Sequence, residues 1–256
     1  MNKNQKYAKR YLDRLEKQHE RDLIKAYQNA LKELRAKIAT IYERYDGDWV
    51  ELQKYNRLTK LEKEIAKEIG KLTGKNAQTL MKSQRHMYEE AYYLTAFILT
   101  NEVKSDLGYA FLNKDVVNES IQNPLDRVGF LQRNRDNQHI LVRQLREQLT
   151  QGFIQGESYR SVAKRIKERM DVGASKALTI ARTENHRVRS KSQLDSMEEG
   201  RKAGLDLKKH WMSTVDSDTR ESHQDLDGVE VDLDEDFEGE NGSGPAPGML
   251  GAASED

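Results

Sequence analysis

The sequence has no cysteine and only three prolines in 256 residues. Without thiols, neither a disulfide framework nor a thiolate-ligated metal can form. With so little proline, long helices can run uninterrupted. The longest apolar run, 92–99, falls far short of the ~20 residues that a membrane-spanning helix needs. The basic start, MNKNQKYAKR, leads into no apolar stretch and does not read as a secretory signal. Aromatic residues are 7% and charged residues 34%, a balance that favours solvated helices over a bulky β core. The expectation is a soluble protein assembled in a reducing cytoplasm, with length for one large domain or two modest ones.

Charge is plentiful but unevenly placed. Lys+Arg and Asp+Glu are 43 each, so the formal net charge is zero. Residues 213–256 nevertheless hold 14 acids and one base, Arg220, leaving 42 bases against 29 acids in 1–212. An acidic end of this kind suits a basic partner, which could be the rest of the same chain.

Helical spacing dominates the first half. Ala8, Leu12, Leu15, Leu23, Tyr27, Ala30, Leu34, Ile38, Ile41 and Tyr45 form one stripe, closed by the turn at Asp46-Gly47-Asp48. Such a stripe needs a cover, from this chain or from another protein. A second helix is expected through Leu58, Leu61, Ile65, Ile69 and Leu72, ended by Gly70 and Gly74. A third is expected over 77–103. Asn123-Pro124 and Gly129 break the pattern, and a domain boundary is placed near residue 125. Leu141, Leu145 and Leu149 mark the next helix, stopped at Gly152. Ser158 is a fitting N-cap for one through Val162, Ile166 and Met170, ending at Gly173. Another helix follows over 174–203. Short strands are expected within 205–215 and 229–233. The fold class is therefore mainly α: long N-terminal helices in 1–125, then a C-terminal α+β domain in 126–256 with a small, short-stranded sheet.

Few chemical motifs stand out. Asp216, Asp218 and His223 have the right chemistry for a divalent cation. Asp218 with Glu221 equally makes a capping box that needs no metal, which is the preferred reading. The acidic run 232–238 fails as a calcium loop, because Phe237 falls where glycine is required and Ser243 where glutamate is. Glu184 and His186 could exchange protons, yet no activated nucleophile lies beside them. Arg182 is expected in a buried ion pair with a carboxylate of the acidic segment. Residues 160–209 hold 14 bases against 7 acids. Of these, Arg160, Lys164, Lys167, Arg187, Lys191, Arg201 and Lys202 are candidates to neutralise DNA phosphates. No sequence-reading module accompanies them. Phosphate-binding glycine loops and nucleophile elbows are also missing. Trp49 and Trp211 read as packing anchors.

The order Ala181-Arg182-Thr183-Glu184, Gly204, Trp211, Asp216-Ser217-Asp218-Thr219-Arg220, His223, Asp227-Gly228, Phe237 and Pro247-Gly248 resembles the phage Mu protein F-like family of head morphogenesis, or minor head, proteins. The resemblance covers about 130–256. It gives Arg182, Thr183, Glu184, Trp211, Asp216, Asp218, Thr219, Arg220, His223 and Gly228 a structural role as family-motif residues. It also implies a virion component, made in the host cytoplasm and built into the procapsid at the portal vertex or head interior. Implied partners are the portal protein, other capsid or scaffold proteins, and double-stranded DNA bound without sequence preference, with no membrane during assembly. Many relatives continue into a Cys-x-Cys pair that could join the histidine around a metal; here no such site can be built with His223, since cysteine is absent. No cofactor, catalytic residue or metal is expected. The function anticipated is assembly, with Leu12, Leu23 and Leu34 docking the helical arm on a partner. The rival is a metal-dependent hydrolase or nuclease using Asp216, Asp218 and His223.

Overall fold

A computed structural model describes residues 1–45, 48–53, 56–109, 112–122, 129–213, 224–240 and 242–250. Among these, six α-helices precede four short strands: α1 Lys3–Tyr45, α2 Trp49–Gln53, α3 Arg57–Val103, α4 Lys114–Gln122, α5 Phe130–Ile154, α6 Tyr159–Lys202, β1 Lys208–His210, β2 Glu230–Asp232, β3 Phe237–Gly239 and β4 Gly242–Gly244. The expected fold class is borne out. The role anticipated for the Trp49 side chain falls outside what is described.

Helix starts follow the capping rules. The carboxylate of Asp48 accepts from the Val50 amide at 2.7 Å, Asn113 from Asp115 at 2.8 Å, and the Ser158 hydroxyl from Ser161 at 3.3 Å. Two helix ends need glycine. Gly156 after α5 and Gly204 after α6 have φ of 64° and 96°. In each, the next amide reaches back five residues, Glu157 to the Gly152 carbonyl at 2.9 Å and Leu205 to that of Gly200 at 3.1 Å, which is a Schellman closure.

The breaks expected at Gly70, Gly74 and Gly173 do not occur; α3 and α6 run straight through them. A helical glycine costs only about 1 kcal/mol relative to alanine. The buried residues Leu61, Ile65, Ile69 and Leu72 on α3 outweigh that, each contributing ~1.5–3 kcal/mol. At Gly173 the missing side chain is used: a Cβ there would sit 3.0 Å from Leu141.

The chain divides into two compact units, neither of them a continuous stretch. One comprises Gln18–Leu80 and Phe130–Ala181. Its core includes Leu23, Leu34, Ile38, Ile65, Leu145, Phe153 and Ile166. The Asn137 amide ties the helices inside it, donating to the Gly173 carbonyl at 3.0 Å and to the Tyr27 hydroxyl at 3.3 Å. Tyr42 closes the α5–α6 turn, its hydroxyl donating to the Glu157 carbonyl at 2.9 Å and its ring lying 5.4 Å from that of Phe153.

The other unit comprises Met1–Lys17, Met81–Gly129 and Arg182–Asp256. Here the start of α1 lies antiparallel to the second half of α3. Leu12 and Leu15 meet Met87 and Ala91, while Asn2 donates to Glu102. The second half of α6 runs parallel to the same part of α3. Ser83 donates to Asn185 at 3.0 Å, Ser192 to the Tyr88 carbonyl, and Ser196 to the Tyr92 carbonyl at 3.0 Å. Ser192, Ser196 and Gly200 recur every four residues, so the small side chains share one face and let the backbones approach closely.

Both sheets are two-stranded and antiparallel, β1 with β2 and β3 with β4. The expected strands correspond to β1 and β2, paired Lys208 to Asp232, Lys209 to Val231 and His210 to Glu230. Lys208 and Asp232 thus place opposite charges across the pair, 3.5 Å apart on the exposed side. The β3–β4 hairpin was not expected; glycine occupies three of its positions, Gly239, Gly242 and Gly244, which depresses any strand signal.

Candidate functional site

The densest buried polar group lies in the second half of α6. Ala177, Ala181, Glu184 and Val188 recur at four- and three-residue steps and are all buried, so Glu184 sits on an apolar stripe. Its side chain is 2% exposed and that of Arg187 3%, with guanidinium and carboxylate 3.1 Å apart. A buried charge is tolerated only when its remaining donors are also satisfied. Arg187 meets this condition: it donates to the carbonyls of Ser120 at 3.0 Å and Ile121 at 3.3 Å, the last residues of α4 before Gln122. A helix end leaves such carbonyls without intrahelical partners and carries partial negative charge, which a cation offsets. The Gln84 amide of α3 approaches Glu184 at 3.5 Å.

The Pro-Gly segment closes over the same point. At Gly248, with φ of 78°, an added Cβ would lie 3.3 Å from the Arg187 Cα. The Trp211 ring anchors the strands beside it, buried with Leu226, Phe237 and Leu250, and 5.1 Å from the Phe237 ring. Its indole N–H donates to Ser213 at 3.1 Å, and its carbonyl accepts from the Gly228 amide at 3.0 Å. Lys209 is buried on the inner side of β1. It donates to the Pro245 carbonyl at 3.1 Å and lies 5.2 Å from the centre of the Phe237 ring. Burial holds its ammonium below the usual lysine range, opposed by the field of Asp236 and other carboxylates.

Tyr88 donates to Asp195, which also accepts from Lys191. Burial, foremost, and the Asp195 carboxylate raise the pKa of that phenol. The cluster keeps a phenol protonated beside a carboxylate and supplies no activated nucleophile.

Several expectations change. Arg182 is exposed, and the buried ion pair belongs to Glu184 and Arg187 instead; Thr183 is half-buried. Arg187 is enclosed and engaged with Glu184, so it cannot face DNA. Lys191, Arg201 and Lys202 pair with Asp195, Glu198 and Glu199, and Lys167 with Asp171. Arg160 and Lys164 are exposed, with no carboxylate within 4.0 Å among the described residues. Leu12, Leu23 and Leu34 are 1%, 4% and 0% exposed. They are core residues covered by this chain, not a docking surface. Asp216, Asp218, Thr219, Arg220 and His223 lie outside the described residues. Among those described, no three His, Asp or Glu side chains converge on a possible metal position. The acidic segment does meet basic side chains: Asp232 lies 3.5 Å from Lys208 and Asp234 3.8 Å from Arg201, all exposed.

The phage Mu protein F like protein family matches residues 143–249, spanning both partners of the buried pair and Trp211, Leu226 and Phe237 of the aromatic cluster. Across 99% of this chain and 83% of the relative, the sequence is 32% identical to minor head protein GP7 of Bacillus phage SPP1. The chain belongs to the phage Mu F-like family of minor head proteins. Its role accordingly lies in phage head morphogenesis. A second relative, named NAD(+)–arginine ADP-ribosyltransferase EFV, from Enterococcus faecalis, is 33% identical over 66% of this chain; the match covers 34% of that protein. No solved structure matches. The geometry around the buried pair is that of a tied helical junction: Arg187, inside the matched segment, bonds to the end of α4 outside it and packs under the Pro-Gly loop.

Proposed function

We propose that this minor head protein enters the procapsid beside the portal, lies in the head interior, and touches packaged DNA through phosphates without reading sequence. In sequence terms, residues 126–256 serve as the family module and 1–125 as its helical arm. The observation that carries this reading is the similarity to a minor head protein across 99% of this chain. The DNA element draws support from the 42 bases and 29 acids of residues 1–212. A chain with that surplus is attracted to polyphosphate, while the acidic 213–256 keeps the whole neutral. Partners are the portal and neighbouring capsid or scaffold proteins. The site of action is the virion, reached from the host cytoplasm.

The test is to assemble procapsids with tagged protein, with and without portal. Incorporation that depends on the portal supports the reading; equal incorporation without it refutes portal association. Incubation with plasmid and Mg²⁺ or Mn²⁺ tests the rival chemistry of Asp216, Asp218 and His223. Cleavage abolished by chelator and by Asp218→Ala would replace the assembly reading with a nuclease.

A further inference from the structure

The first four turns of α1 carry charge of a different kind from that on α6. Lys3, Lys6, Arg10 and Arg14 follow one another at three- and four-residue steps and line a single groove of about 530 Å³ with Tyr7. At about 100° per residue this row lies opposite the buried Ala8, Leu12 and Leu15, so it faces solvent. All four are exposed, and among the described residues no carboxylate lies within 4.0 Å of any of them. Tyr7, 55% exposed, stands in the middle of the row with its ring 6.3 Å from that of Tyr11.

This arrangement opposes helix stability. The first turn of α1 has no acidic residue, so lysines crowd the positive end of the helix dipole. Like charges four residues apart, Lys6 with Arg10 and Arg10 with Arg14, repel. Of the candidates on α6, Lys191, Arg201 and Lys202 are neutralised by carboxylates one turn away, and the pair Arg160 and Lys164 at its start is left exposed without one among the described residues. A helix that leaves its cations uncompensated presents a concentrated positive potential, which a dense line of negative charge relieves.

We propose that this row on α1 is the track on which the protein holds double-stranded DNA. The proposal rests on the DNA-contact reading above and gives it a location. From Lys3 to Arg14 the helix rises roughly 16 Å. That length matches about five phosphates of one strand at ~3.4 Å each. Four cations meet phosphate oxygens along it, and the Tyr7 ring and hydroxyl face the sugar-phosphate backbone. No base-reading element accompanies the row, so affinity is independent of sequence.

The experiment uses the full chain and a mixed-sequence 30-base-pair duplex, titrated from low to moderate salt. Replacing Lys3, Lys6, Arg10 and Arg14 together by Gln should make the slope of log affinity against log salt shallower by about 3–4, and weaken binding by ~100-fold or more near 0.1 M salt. The pair Lys6→Gln with Arg10→Gln should remove about half of that slope. The control, Arg201→Gln with Lys202→Gln, should change it by less than ~1. Thermal midpoints of the α1 variants should hold or rise, since repulsion is removed. An unchanged slope in the α1 variants, with tight binding by the unmodified protein, overturns the track and leaves DNA contact standing elsewhere. No binding by the unmodified protein at low salt removes the DNA reading and the track with it. Lost procapsid incorporation with DNA binding intact would assign the row to an acidic protein partner, which also overturns the proposal.

Discussion

Arg187→Met isolates the contribution of the buried junction. The methionine fills much of the same space but withdraws the cation 3.1 Å from Glu184 and the donors to Ser120 and Ile121. Removing one partner of a buried pair costs about 3–5 kcal/mol, because the other charge is left in a low dielectric. For a chain of this size each kcal/mol moves the midpoint by about 2–4 °C, so a fall of roughly 10 °C is expected by calorimetry. The double variant Glu184→Leu with Arg187→Met should recover most of the loss, since an apolar pair needs no compensation. A midpoint for Arg187→Met within ~2 °C of the unmodified protein would refute the reasoning, as would a double variant no better than the single.

Three further outcomes test other parts of the fold. Gly244→Ala sets a Cβ 2.2 Å from the Met249 carbonyl oxygen, a backbone clash that should loosen the Trp211 cluster and red-shift its fluorescence. Ser196→Ala removes the hydroxyl donated to the Tyr92 carbonyl and should cost about 1 kcal/mol in denaturant unfolding. Burial pushes the Tyr27 phenol up to about 12 from 10.0. Its stabilisation is therefore complete below pH 10 and is lost as pH rises towards 12, about 2–3 kcal/mol in all; Tyr27→Phe should flatten that alkaline loss.

What could be read from the sequence depended on local periodicity. The α1 stripe, the Ser158 cap and the strands β1 and β2 all follow from spacing and side-chain type. Continuity through Gly70, Gly74 and Gly173 did not, because the gain that outweighs a helical glycine comes from residues distant in the chain. Whether the α1 stripe docks outward or inward is likewise set by the covering helices, which no window of sequence contains. The buried pair left a usable signal: Glu184 occupies a position on the apolar row Ala177, Ala181, Val188, with a cation three residues on. A carboxylate there asks for an internal partner, and Arg187 is nearer than the acidic segment to which Arg182 had been assigned. Among the cation candidates on α6, Lys167, Lys191, Arg201 and Lys202 are paired with acids one turn away and Arg187 is buried, whereas Arg160 and Lys164 remain exposed.

The division into Gln18–Leu80 with Phe130–Ala181, and Met1–Lys17 with Met81–Gly129 and Arg182–Asp256, bears on how the polypeptide emerges from the ribosome. Leu12 and Leu15 can meet Met87 and Ala91 as soon as α3 has emerged, whereas the unit of Gln18–Leu80 and Phe130–Ala181 is complete only once Ala181 has left the exit tunnel. The other unit thus begins to form first and closes last, when Arg187 arrives to tie the end of α4.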